Sequence, residues 1–198
     1  MEDDAKAPRV IGPQDGELGF LGTIGVRFLA SGADTGGGFS LVEHPMSPRA
    51  LAAPLHRHVN EDEYSFVLEG RVGALLGDAV RVATPGDLVF KPRGQWHTFW
   101  NAGDAPARIL EIIAPAGFEQ FFKALSDMGG VTGADPAEVA ALSARYGLEM
   151  DFASVPGLCE RFGLVFPGER LTPKGWSPVD PRSHRAPAFP KAPERVGA

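Results

Sequence analysis

Short alternating segments, separated by turn residues, fill the chain between residues 63 and 114. In residues 63–69 the side chains of Tyr64, Phe66 and Leu68 share one face, which is the period-two pattern of a β-strand. Gly, Pro and Asp recur between the segments, as tight turns require. Strands of this kind are predicted in the following segments: 23–30, 39–44, 63–69, 72–76, 79–83, 88–90, 95–101 and 107–114. So many short strands at close spacing predict an all-β core, either a sandwich or a barrel.

Helical patterns replace the strand pattern after residue 116. Phe118, Phe121, Phe122 and Leu125 have the i, i+3, i+4, i+7 spacing of an amphipathic helix. A second helix is predicted from Pro136 to about Tyr146, because Asp135 is a good N-cap, Glu138 can complete a capping box and Gly147 can end the helix. The predicted organisation has four parts: an N-terminal arm (1–16), a β-barrel (17–116), a helical extension (117–152) and a proline-rich tail (153–198).

Charge and composition exclude several classes of partner. The net charge is −6, from 19 basic and 25 acidic residues, which argues against nucleic acid and anionic membranes as partners. The first ten residues are acidic and lack an apolar core, so they do not predict a signal peptide. The single cysteine, Cys159, rules out an internal disulfide. We therefore expect a cytoplasmic protein whose partner is a small molecule.

The segment from Leu55 to Gly70 concentrates the metal-binding side chains. His56 and His58 are two positions apart, so on a strand both imidazoles point the same way. On a straight strand the carboxylate in register with them is Asp62, whereas a bend within residues 60–62 would bring Glu63 to that face. From spacing alone both carboxylates are candidates, and two imidazoles with a carboxylate predict a divalent metal site. His44, a lone histidine at a strand end, is interpreted as a hydrogen-bonded structural residue.

Two motifs in this region resemble those of the cupin family. The first reads His56, one residue, His58, four residues, Glu63, six residues, Gly70, with Ala50 where the family usually has glycine. The second matches the family at every position, with the following residues: Gly86, Pro92, Gly94, His97 and Asn101. Fifteen residues, 71–85, separate the two motifs, and the resemblance covers residues 38–116. It implies a double-stranded β-helix, or jelly-roll barrel, followed here by two helices, and often a homodimer.

The resemblance also implies a ligand set and a cofactor. Carried over by position, the metal ligands are His56, His58, Glu63 and His97, which selects Glu63 over Asp62. Three imidazoles and a carboxylate suit one divalent transition metal per chain, namely Fe, Mn, Ni, Cu or Zn.

The expected activity follows from a closer likeness. Residues 61–122 look like the small cupins described as quercetin dioxygenase-like, so the leading hypothesis is a dioxygenase that uses O2 on an enol, flavonol-like or phenolic substrate. Glu63 is the expected catalytic proton acceptor. The alternatives are a non-oxidative isomerase or lyase acting on a sugar or keto acid, and a non-catalytic small-molecule-binding cupin.

Strand alternation also suggests which other side chains share the ligand face. Ser65 and Val67 follow Glu63 at even steps, and Gln95 and Phe99 lie at even steps from His97. We therefore expect Ser65, Gln95 and Phe99 to line the substrate pocket.

Overall fold

Two antiparallel sheets make up the body of the protein in the computed structural model, which describes residues 7–169 and 171. One sheet has the strand order β1-β2-β3-β10-β5-β8, and the other has the order β11-β4-β9-β6-β7. The strands are β1 (Leu18–Phe20), β2 (Gly25–Ala30), β3 (Ser40–Met46), β4 (Leu55–His58), β5 (Asp62–Glu69), β6 (Val72–Leu76), β7 (Ala79–Ala83), β8 (Leu88–Lys91), β9 (His97–Asn101), β10 (Ala107–Ala114) and β11 (Leu148–Asp151). The helices are α1 (Gly32–Thr35), α2 (Glu119–Asp127), α3 (Pro136–Arg145) and α4 (Ser154–Phe162). The prediction of a jelly-roll barrel with C-terminal helices is confirmed.

The core lies between the two sheets and follows from the period-two pattern of the strands. In β10 every second residue is buried, and Ile109 and Ile113 are fully enclosed. The neighbouring strands contribute Val42 from β3 and Val67 from β5, both with no exposed surface. Burying these side chains on one face of each strand is what holds the sheets together.

A break between β4 and β5 decides which carboxylate enters the barrel. Residues 59–61 belong to neither strand, so the alternation restarts at Asp62. Glu63 is then buried, whereas the carboxylate of Asp62 accepts hydrogen bonds of 2.9 Å from both the backbone and the guanidinium of Arg93 at the surface. The break places Glu63, and not Asp62, on the inner face.

The two predicted helices form near their expected positions. α2 buries Phe121 and Leu125 against the barrel, with Phe118 buried directly before it. At the start of α3 the side chain of Asp135 accepts a 2.7 Å hydrogen bond from the backbone N–H of Ala137, so the predicted N-cap is in place. None of the helices within the described residues is long and apolar enough to cross a membrane.

Two further elements join the barrel beyond residue 116. β11 pairs with β4, with Leu148 opposite His58 and Met150 opposite His56. α4 packs Leu158 and Phe162 over the outer face of β9, where the Phe162 ring stacks on Trp100 at 4.4 Å. The sequence did not predict either element, because β11 has only four residues and α4 contains Pro156 and Gly157, which have low helix propensity.

The predicted domain limits change accordingly. One of the sheets includes residues 148–151, and packed structure continues past residue 153, where the tail was expected to begin. Most of the proline-rich segment from Pro167 onward lies outside the described residues.

Candidate metal centre

Four buried side chains converge inside the barrel. His56 and His58 come from β4, Glu63 from β5 and His97 from β9, and their ligand atoms all lie within 4.8 Å of one another. No member of this group is more than 6% exposed. Oε2 of Glu63 lies 3.4 Å from Nε2 of His58 and 3.3 Å from Nε2 of His97. This cluster can hold one metal ion, which is the composition that the two motifs imply.

The outer nitrogen of each imidazole is held by an acceptor. Nδ1 of His56 lies 2.8 Å from the carbonyl of Pro54, and Nδ1 of His97 lies 2.9 Å from the carbonyl of Gln95. Nδ1 of His58 lies 2.6 Å from the carboxylate of Glu61. Because an acceptor at Nδ1 selects the tautomer with the proton there, each Nε2 keeps its lone pair for the centre of the cluster.

One atom of the cluster provides an independent test of the fit to a metal. Nε2 of His58 is buried and has no hydrogen-bond partner within the described part of the chain. An unpaired buried polar atom is costly, and a metal ion at the centre of the cluster would give this nitrogen a partner. The donor set and this nitrogen both fit a divalent transition metal.

The protonation states of the cluster reflect burial and mutual charge. Burial, with the neighbouring charges of His97 and His58, holds the pKa of His56 well below its usual value. Burial would also raise the pKa of Glu63, but His58, Lys91 and His97 outweigh it and hold that pKa well below its usual value. For His58 the desolvation is outweighed by Glu63 and Glu61, which raise the pKa. The cluster therefore keeps an ionised carboxylate among its imidazoles.

A buried lysine connects Glu63 to a second carboxylate. Nζ of Lys91 lies 3.0 Å from Oε2 of Glu63 and 2.7 Å from Oε1 of Glu111, and Lys91 is 1% exposed. Both contacts are within ion-pair distance. Ser65 donates a 2.9 Å hydrogen bond to the same oxygen of Glu111, and the ammonium lies 4.5 Å from the centre of the Phe99 ring. Burial would lower the pKa of Lys91, but Glu111 and Glu63 raise it, so this side chain stays charged.

A small cavity of ≈ 60 Å³ adjoins the cluster. Its walls are mostly apolar and include three rings from the start of α2, those of Phe118, Phe121 and Phe122. Phe118 packs against the ligand His58, with 4.4 Å between the ring centres. The polar side chains in the wall other than the ligands are Thr23, His44 and Glu111, and no lysine or arginine lines the cavity within the described residues.

The three residues predicted to line the pocket, Ser65, Gln95 and Phe99, occupy three different environments in the structure. Phe99 lines the cavity. Ser65 is buried on the ligand face, where its hydroxyl binds Glu111 and does not reach the cavity wall. The side chain of Gln95 is exposed, so its predicted place on the ligand face is wrong. The reason is that β9 begins only at His97, and residues before it form a turn to which strand alternation does not apply.

Sequence reasoning missed three side chains of the site. His44, which was interpreted as structural, lines the cavity, and its Nδ1 lies 2.8 Å from the carbonyl of Gly25. Lys91 and Glu111 were not identified as site residues. A signal for Glu111 was present, since it interrupts an otherwise apolar face between Ile109 and Ile113. A charged residue on the inner face of a barrel strand needs a partner, and here that partner is Lys91.

Comparison with known proteins agrees with the fold and the motifs. Residues 43–113 match the family model of the cupin domain, Cupin_2. A search of the curated proteins finds no match. KdgF from a Halomonas species superposes with a TM-score of 0.51 at 15% identity, over 58% of this chain and 99% of that one. A predicted oxalate decarboxylase from Thermotoga maritima superposes with a TM-score of 0.51 at 17% identity, over 54% of this chain and 99% of that one.

A third solved structure is more similar in sequence but superposes less well. It is a sugar phosphate isomerase of the cupin superfamily from Silicibacter pomeroyi, with 27% identity and a TM-score of 0.42. The match covers 48% of this chain and 60% of that protein. The two superpositions with a TM-score of 0.51 show the fold and leave the activity open, and the resemblance to quercetin dioxygenase-like cupins stays a prediction. Residues 43–113 therefore match the cupin domain, and the two-sheet barrel that contains them shares its fold with the two structures that superpose at a TM-score of 0.51.

Proposed function

We propose that this protein is a metal-dependent dioxygenase that acts on a small enolisable or phenolic substrate. The observation that carries the proposal is the arrangement of His56, His58, Glu63 and His97 beside a small, mostly apolar cavity. A divalent metal held by these four residues would supply Lewis acidity or redox chemistry and would favour negative charge on a substrate oxygen. The chain itself supplies the orientation of the ligands, the exclusion of water by the rings of α2, and the size and polarity of the cavity.

The wall of the cavity argues against a sugar phosphate as substrate. A phosphate group is normally held by arginine, lysine or a helix N-terminus, and no basic side chain lines the cavity within the described residues. A sugar would also bring several hydroxyls into a wall with few polar side chains, and unpaired buried hydroxyls are costly. An apolar molecule with one or two oxygens meets neither problem.

The size of the cavity restricts the substrate further. A volume of ≈ 60 Å³ holds about four water molecules, at about 15 Å³ each. A short β-diketone or a phenol is closer to this size than a flavonol, which has three rings. We therefore place small enols and phenols ahead of flavonols.

A non-oxidative isomerase or lyase is the second candidate. His44 and Glu111 line the same cavity as the ligand cluster, and titratable groups of this kind can move protons on a keto acid. Such an enzyme would be indifferent to oxygen, which separates it from the leading proposal.

Metal content and oxygen consumption test the proposal. Protein purified without chelator is analysed for metals, reloaded with Fe, Mn, Ni, Cu or Zn, and assayed in an oxygen electrode with pentane-2,4-dione, catechol and quercetin. We expect about one metal per chain and oxygen uptake with at least one of the small substrates. Failure of every metal to give oxygen uptake with any of the three would contradict a dioxygenase, and turnover that is independent of oxygen would favour the second candidate.

Removal of two ligands tests the metal site itself. The double variant His58→Ala, His97→Ala removes two of the four ligand side chains, and we expect it to retain no metal after dialysis. Asp62→Asn is the matched control, because Asp62 is the competing carboxylate in sequence and binds Arg93 at the surface. Elemental analysis of the wild type, the double variant and Asp62→Asn measures the metal content of each. A full metal content in the double variant would exclude this site.

A further inference from the structure

We propose that His44, which is not a metal ligand, is the catalytic base of this site and accepts the proton that an enolisable substrate loses in the cavity. The proposal rests on the proposed function for the substrate class, but not on the reaction with oxygen. It assigns the proton transfer to His44 and not to Glu63, which the sequence analysis expected to accept the proton.

The orientation of His44 leaves one ring nitrogen for a ligand. Its Nδ1 lies 2.8 Å from the carbonyl oxygen of Gly25, a pure acceptor, so the proton of the neutral ring sits on Nδ1. Nε2 then carries the lone pair, and the side chain lines the cavity although the residue is only 1% exposed. The ring packs in a T-shaped contact with Phe122 of α2, with 5.1 Å between ring centres. His44 is thus a fixed neutral imidazole beside the position of the substrate.

The dimensions of the cavity bring His44 and the metal ligands to the same molecule. His44, His56, His58 and Glu63 all line a cavity of ≈ 60 Å³. A substrate that fills this cavity would therefore contact both the ligand cluster and His44.

The charges around His44 suit a proton acceptor. Glu111 projects from β10, Glu63 from β5 and Lys91 from β8, and all three act on the ring. The aromatic ring of Phe122 faces it from α2, and the Gly25 carbonyl from β2. Burial lowers the pKa of His44, while Glu111 opposes that effect, so the ring is neutral before substrate binds and an imidazolium formed there has a carboxylate nearby.

Glu63 is less suitable for the same task. Its Oε2 already lies 3.0 Å from the ammonium of Lys91 and within 3.4 Å of two imidazole nitrogens. A side chain that serves as a ligand and as the counter-ion of a buried lysine has little remaining capacity for a substrate proton.

The proposed step is a simple proton transfer. The bond from hydrogen to the central carbon, or to the enol oxygen, of a β-dicarbonyl breaks, and its electron pair stays on the substrate as an enolate. The proton forms a new bond with Nε2 of His44, which becomes an imidazolium. No electron leaves or enters the site, and no further reactant is needed.

Proton counting by calorimetry tests this step without any turnover. Zn-loaded protein, which has no redox chemistry, is titrated with pentane-2,4-dione near neutral pH in two buffers of different ionisation heat. In the wild type the negative charge of the enolate beside the ring stabilises the imidazolium, so the proton stays on His44, whereas in His44→Gln it must go to the buffer. We therefore expect one more proton released per ligand in the variant than in the wild type. The loss of a charge-assisted hydrogen bond should also weaken binding by about 10- to 100-fold.

Two controls separate proton transfer from a structural role. Asp62→Asn removes a titratable group that binds Arg93 at the surface, outside the cavity, and it should keep the proton count of the wild type. In the unmodified protein, nitrogen NMR of the imidazole should show Nε2 of His44 becoming protonated when pentane-2,4-dione is added, so the test survives even if His44→Gln does not fold.

The outcomes distinguish this proposal from the proposed function. Equal proton counts in wild type and His44→Gln, or an unprotonated Nε2 in the complex, would overturn the role of His44, as would a failure of the Zn-loaded wild type to bind the probe. An extra proton in the variant together with no oxygen uptake under any metal would leave His44 as the base and refute the dioxygenase.

Discussion

The two faces of one sheet carry two different charge networks. On the inner face Lys91 lies between Glu63 and Glu111, so one ammonium faces two carboxylates. On the outer face Glu43 binds the guanidiniums of Arg27 and Arg108, the second at 2.6 Å.

The difference between the networks lies in their charge balance and their further partners. Arg108 also binds Glu69 at 2.9 Å, so two cations and two carboxylates balance outside. Arg27 donates further 3.0 Å hydrogen bonds to the carbonyls of Gly12 and Asp15, which fasten the N-terminal segment to the sheet. The inner trio keeps a net negative charge beside three imidazoles. The outer network therefore stabilises structure, and the inner one is arranged to accept a cation.

The largest effect is expected from Lys91→Met. Methionine has a similar length but no charge, so Glu63 and Glu111 would face each other as buried carboxylates without their counter-ion. Removing one partner of a buried ion pair typically costs about 3–5 kcal/mol. Urea unfolding of the metal-free proteins, compared with the wild type, measures this loss.

A second substitution shows whether the loss comes from the unpaired charge. In Lys91→Met, Glu111→Gln one of the two buried carboxylates is also neutral, and we expect a substantial part of the lost stability to return. If the double variant is as unstable as the sum of the two single variants, the contacts of 3.0 and 2.7 Å do not represent an energetic coupling.

A smaller effect is expected from Glu43→Gln on the outer face. The glutamine keeps an acceptor oxygen, Arg27 retains its two carbonyl partners, and Arg108 retains Glu69. The expected cost is about 1–3 kcal/mol, the range for a partly satisfied buried charge. Urea unfolding gives the value, and elemental analysis should show an unchanged metal content. A change in metal content would mean that the two networks are coupled across the sheet.

The smallest effect is a difference in pH dependence that arises from His44. Burial lowers the pKa of His44 from 6.5, so the unfolded chain takes up a proton near that pH before the folded protein does. Folding stability must therefore fall as the pH drops below 6.5, down to the folded pKa, by up to about 1.4 kcal/mol per pH unit. Urea unfolding of the metal-free wild type and His44→Gln at several pH values isolates this contribution. The wild type should lose stability more steeply than the variant on acidification, and parallel curves would show that His44 is not buried in the neutral form.

The inner network contains the part of the site that could not be predicted from the sequence. The all-β core and the two helices after it follow from periodicity and capping residues. The resemblance to the cupin motifs implies the jelly-roll barrel and selects the four cluster residues. The choice between Asp62 and Glu63 could not be made from spacing, because it depends on a break at residues 59–61 that no local rule places. Lys91 and Glu111 become a pair only when β5 lies between β8 and β10, and that order is a property of the sheet and not of any one strand.

β11 could not be predicted from the sequence for a different reason. A four-residue strand has too little pattern to recognise, and its partner β4 lies about 90 residues earlier in the chain. The same holds for α4, whose Pro156 and Gly157 lower its helix propensity and whose stability comes from packing on Trp100. Contacts between distant segments decide both elements, and a single sequence does not display them.

The pairing of β11 with β4 has a consequence for how this protein can be shortened. β4 carries two of the four cluster residues, and β11 covers the side of β4 that faces away from β9. The cupin match ends at residue 113, well before β11 begins. A chain cut at that limit would expose β4 as an open edge strand, with unpaired N–H and C=O groups available to another molecule. The segment beyond the cupin match thus protects the histidine-bearing strand from edge-to-edge aggregation.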